Sequence, residues 1–105
     1  MATALLGGHA MAQDDPGPVT MMCLLASAAN TPDICDCATA EFRAGMSEED
    51  FDLYALVGQH FIENQMNGMG TADAWMAAID TAETDLARTN PIGKAHREAI
   101  ASCSG

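Results

Sequence analysis

The residues best placed for chemistry are four cysteines: Cys23 in an apolar stretch, Cys35-Asp36-Cys37 after a turn at Asn30-Thr31-Pro32, and Cys103 close to the last residue. Such thiols could exchange electrons, hold a metal or pair. Thiol oxidoreductase motifs sit at a helix start in a βαβ setting, and no such pattern occurs here. A closed zinc site wants four thiolates or imidazoles, and the first pair here is not Cys-x-x-Cys. Covalent haem needs Cys-x-x-Cys-His, which is absent. Two disulfides remain, and they imply an oxidising compartment. Positions 35 and 37 stand about 200° apart around a helix, so they can staple two different neighbours. In an antiparallel hairpin centred near Asn30, Cys23 and Cys37 fall at one level. That favours a Cys23–Cys37 bridge and leaves Cys35 for Cys103. Closing the long loop to Cys103 stabilises by roughly 4 to 5 kcal/mol in the chain-entropy model.

Other constellations are weaker. His60, Met66 and Met69 are the thioether and imidazole types that suit Cu(I), yet positions 60 and 66 differ by about 240° on a helix and share no face. His96 shares a stripe with Ile100 and Cys103, which places it partly buried beside a disulfide with a pH-dependent charge. Trp75 reads as the core anchor of its helix. Glu48, Glu49 and Asp50 are explained by helix capping, while Asp80 and Glu83 fit a solvated face. No nucleophile elbow, phosphate loop or calcium loop occurs, so the sequence offers no catalytic centre and requires no cofactor.

The elements that position these groups are helical. A chain of 105 residues, about half of them apolar, fills one small core. Alanine and eight methionines carry much of the apolar set against three Phe, one Trp and one Tyr, so such a core is thin and benefits from staples. A formal charge of −11 excludes nucleic acid and anionic membranes as natural partners. Residues 1–12 read as a signal-peptide remnant: Ala2 to Gly8 is apolar and Ala10-Met11-Ala12 has small residues where a signal peptidase inspects. The basic segment that usually opens a signal is missing, since no Lys or Arg precedes Arg43. Residues 13–17 then form a flexible leader and 18–105 a single helical domain. Cleavage after Ala12 leaves nothing to insert in a membrane, for no later run is long and apolar enough to span one.

Within 18–105 the punctuation predicts four or five helices. One starts near Pro18 and stops by Asn30. A second runs from Pro32, behind the Thr31 cap, to about Ala44. A third opens at Ser47-Glu48-Glu49-Asp50 with Phe51, Ala55, Gly58, Ile62 and Met66 in one stripe, widened by Leu53, Leu56, Val57 and Phe61. Gly58 there would let a neighbour approach closely. Thr71 caps a fourth, with Trp75, Ile79, Ala82 and Leu86 in phase, and Asn90-Pro91 opens a last one.

Cys23, Cys35-Asp36-Cys37, the Ser47-Glu48-Glu49 helix start and a terminal Cys103 together resemble the layout of small exported four-cysteine helical proteins of proteobacteria. The resemblance implies a disulfide-bonded periplasmic module and no activity. The function expected is a non-catalytic periplasmic or secreted module that binds a protein partner, with Met66, Met69 and Met76 on its adaptable contact surface. Two alternatives are a Cu(I)-binding protein using His60, Met66 and Met69, and an acid-stress chaperone whose fifteen carboxylates lose their charge at low pH.

Overall fold

The computed structural model describes residues 16–105; the expected signal remnant and most of the leader lie outside them. The fold is all-α. Five helices run α1 (Pro18–Ala26), α2 (Pro32–Ala44), α3 (Glu48–Met66), α4 (Thr71–Thr81) and α5 (Leu86–Ser104), and no strand occurs among the described residues.

Local chemistry sets most of these boundaries. Pro18 opens α1, where its missing N–H is harmless. Asn30 acts past the end of α1, its side-chain amide donating to the Cys23 carbonyl at 2.8 Å. Thr31 caps α2 by accepting from the Ile34 N–H at 3.2 Å, with Pro32 and Asp33 in the first turn. Ser47 likewise accepts from the Asp50 N–H at 3.1 Å, and three acids crowd the positive end of α3.

Two boundaries differ from the sequence expectation. Thr71 is the first residue of α4 rather than its cap, and Gly70 stands at the cap position with no side chain to offer. The last helix starts at Leu86 and not at Pro91, because Asp85 accepts from the Arg88 N–H at 2.9 Å and nucleates the turn earlier. Pro91 falls inside α5, where it forfeits one backbone bond. Leu86, in phase with the α4 stripe on paper, therefore belongs to the next helix and is exposed.

The core has two parts. Val19 and Met22 of α1, Ala38 and Phe42 of α2, Phe51 and Tyr54 of α3, and Ile92 and Ala99 of α5 form the larger one. Val57 of α3 and Ala78 and Ile79 of α4 form the smaller. Phe61 and Trp75 pack against both, with ring centroids 5.5 Å apart in an edge-on arrangement. Trp75 is thus a half-buried bridge between the two parts, and the fully buried residues of α4 are Ala74 and Ala78. Leu56, expected in the core stripe, is exposed; Tyr54 takes the buried position.

The staples pair Cys23 with Cys35 and Cys37 with Cys103, which corrects the expected Cys23–Cys37 and Cys35–Cys103 pairing. The connection between α1 and α2 is centred on Ala29, one residue earlier than assumed, because α1 ends at Ala26 and α2 begins at Pro32. Moving the centre by one residue moves the matching level by two, from Cys37 to Cys35. The 200° between positions 35 and 37 then acts as anticipated: Cys35 faces α1 and Cys37 faces α5.

Candidate functional site

Where α1 crosses α3, the helices approach closely because Gly58 has no side chain. A Cβ built there would collide with the Met22 methyl carbon. Met22 lies across this gap and its neighbours on α1 overhang it. Between Met22, Leu25 and Ala26 on one side and Phe61, Gln65 and Thr71 on the other runs a groove of about 350 Å³. Its floor is apolar; its far wall carries the Gln65 amide, which donates to the Thr71 hydroxyl at 3.2 Å. Asn64 donates to the Ala74 carbonyl at 3.1 Å, so the end of α3 and the start of α4 are held together as one wall.

Large apolar side chains stand exposed on the helices and turn that form this groove. Leu25 is 56% exposed and Met66, the neighbour of Gln65, is 81% exposed. Met69 in the α3–α4 turn and Met76 further along α4 are also exposed. The three methionines expected at the contact surface are therefore solvent-accessible. Leu25 was missed by sequence reasoning, although a signal existed: Val19, Met21, Met22, Leu24 and Leu25 make α1 apolar on more than one face, and a helix of nine residues packed against two neighbours cannot bury them all.

His60, the imidazole of the copper alternative, faces Glu63 on its own helix at 3.5 Å. Because α3 continues unbroken through Met66, His60 and Met66 project from different faces of it, while Met69 lies beyond its end.

A second polar feature sits deep in the larger core. His96 is 3% exposed, and its Nδ1 is 3.1 Å from the Tyr54 hydroxyl. The imidazole also packs against Phe42, with ring centroids 5.1 Å apart. Its Nε2 has no hydrogen-bond partner. Burial, and secondarily the positive charge of Arg97, pushes the His96 pKa down from 6.5 to about 4. Burial pushes the Tyr54 phenol up to about 12, so it keeps its proton and can donate to Nδ1. The expectation that His96 lies partly buried beside a disulfide is thus sharpened: it is fully buried, and its close ring neighbours are aromatic.

The four cysteines occupy two environments. Cys23 and Cys35 are completely buried, whereas Cys37 is exposed and Cys103 half-buried. The Glu41 carboxylate approaches both sulfurs of the outer bridge, at 3.7 Å from Cys37 Sγ and 3.4 Å from Cys103 Sγ. Disulfide sulfurs carry no proton, so these are contacts rather than hydrogen bonds.

Two disulfides in so short a chain suit an oxidising, extracytoplasmic environment, and no helix among the described residues is long and apolar enough to cross a membrane. Comparison with family models, with curated proteins and with solved structures finds no match, which leaves fold and surface to define the class: a disulfide-stapled all-α bundle.

Proposed function

We propose that this chain is a non-catalytic helical module of the periplasm or the extracellular space that binds a protein partner at the groove between α1 and the α3–α4 hairpin. The observation that carries this reading is the exposure of Leu25, which lines that groove, and of Met66, which follows the lining residue Gln65 in sequence. Large apolar groups held in water around a concave, apolar floor favour burial against another chain. Methionine adapts its shape to what it meets. The occupant that fits is an apolar segment flanked by basic residues, because the chain carries a formal charge of −11 and would repel an acidic one. The export signal expected in residues 1–12 agrees with the compartment that the disulfides suit.

The test is binding with the oxidised protein. Synthetic apolar helical peptides with lysine flanks should bind wild-type protein, and Leu25→Asp with Met66→Asp should weaken that binding at least tenfold while leaving helicity unchanged, because burying an unpaired carboxylate is costly. Equal binding by the variant, or turnover of a small substrate by the pure protein with no peptide bound, would remove the proposal.

A second reading is favoured by His96. A buried neutral imidazole that must charge on acidification gives the core a built-in weakness at low pH, as an acid-stress chaperone requires. Its test is suppression of client aggregation near pH 2 to 3; a chain that remains folded and inert there loses this role.

A further inference from the structure

The geometry points to a metal site latent in the outer disulfide: once Cys37–Cys103 is reduced, the two thiolates and the Glu41 carboxylate form a three-ligand site for a zinc-like divalent ion that bridges α2 to α5.

The ligand atoms already lie close to the required places. Cys37 and Glu41 stand one turn apart on α2, and Cys103 reaches them from the end of α5. All three donor atoms lie within 4.8 Å of one another. Zinc bonds of about 2.3 Å to sulfur and 2.0 Å to oxygen, at tetrahedral angles, place sulfur and oxygen about 3.5 Å apart and the two sulfurs about 3.8 Å apart. The carboxylate oxygen is at 3.4 and 3.7 Å from the sulfurs and so needs almost no adjustment. Only the sulfur pair must open from bonding distance, and a Cα separation of 6.0 Å allows this by side-chain rotation. The fourth position of the ion faces solvent, since Cys37 and Glu41 are exposed.

Access makes the step selective. A reductant must reach a sulfur, and both sulfurs of the inner bridge are completely buried while Cys37 is exposed. A dithiol of the thioredoxin class would supply the two electrons and two protons: the Cys37–Cys103 bond breaks, each sulfur gains a hydrogen, and the dithiol closes to its own disulfide. The metal ion then displaces the two thiol protons to solvent and forms two metal–sulfur bonds and one metal–oxygen bond. Disulfide and metal are alternative closures of the same gap, so α5 stays tethered in either state. Between them, α2 and α5 also remain joined through Phe42, Ala38, Ile92 and Ala99 in the core.

The experiment uses the full chain, reduced by a phosphine that does not compete for metal as a dithiol would. Alkylation and mass mapping should find Cys37 and Cys103 opened first, with Cys23 and Cys35 still paired. Addition of Co²⁺ should then raise a thiolate-to-cobalt charge-transfer band that saturates at one equivalent, and Zn²⁺ should abolish the band and raise the thermal midpoint of the reduced protein. Glu41→Gln should weaken binding at least about tenfold, the scale seen even for outer-shell partners. The Cys37→Ser, Cys103→Ser double variant, checked for helicity, should give no band. No band from protein reduced only at Cys37 and Cys103, undiminished affinity in Glu41→Gln, or earlier opening of the inner bridge would each overturn the assignment.

Discussion

His96 is a buried imidazole among aromatic rings, and its consequence is a pH dependence of definite sign. In the unfolded chain the imidazole binds a proton near pH 6.5; in the fold, burial and then Arg97 hold that proton off until about pH 4. Above the unfolded value both states are neutral and the group costs nothing. Between about pH 6.5 and 4 only the unfolded state takes up the proton, so stability falls as the pH falls, by about 3 kcal/mol in all. The thermal midpoint of wild type should decline across that window, and in His96→Leu the decline attributable to this group should vanish. An unchanged profile in the variant would place the acid sensitivity elsewhere. Part of this was legible beforehand: the stripe of His96, Ile100 and Cys103 pointed to burial. Its partner was not, although Tyr54 stands three residues after Phe51 and four before Gly58, on the apolar face. A phenol reads as amphipathic in sequence, and only the facing helix shows which end is buried.

Among the elements, the caps at Thr31 and Ser47 held, whereas those expected at Thr71 and Asn90-Pro91 did not, and phase alone misled as well. Thr31 and Ser47 each have a hydroxyl that does one definite job, and the helices they start were placed from them. Trp75, Ile79, Ala82 and Leu86 kept their helical phase straight through a turn. There Glu83 adopts φ 58°, a conformation that glycine usually fills, so the break left no compositional trace. The same limit explains the disulfides. That all four cysteines would pair was readable from type and number, but their partners hung on whether the hairpin centred on Ala29 or Asn30. Gly58 offers a direct test of how α1 meets α3. Alanine should be worth about 1 kcal/mol in helix propensity, yet its methyl group must displace Met22 from the core. Gly58→Ala should therefore destabilise the wild type and stabilise a Met22→Ala background, with the two changes coupled by about 1 kcal/mol or more in a double-mutant cycle of denaturant midpoints. Additive effects would mean that the two helices do not meet at this glycine.

For the whole molecule, a thin core is compensated by two bridges of different kinds. The inner one closes 12 residues of separation and the outer one 66, which the chain-entropy model converts to about 3 and about 4 kcal/mol. They hold an acidic body that exposes Leu25, Leu56, Met66, Met69, Met76 and Leu86. The charge was plain in the sequence, and so were the exposed methionines Met66, Met69 and Met76. The groove was not, since it depends on Met22 lying over Gly58 and on Leu25 being carried to the rim.

The proposed function requires that the groove between α1 and the α3–α4 hairpin receive another chain. Its most direct test is site-specific photo-crosslinking in the oxidising compartment, with the reactive group placed at Met66 and, as control, at Glu98 on the exposed face of α5. One discrete protein adduct is expected from Met66, lost when Leu25→Asp is added, and none from Glu98. Equal labelling from both positions, or a Met66 adduct that persists with Leu25→Asp, would contradict it.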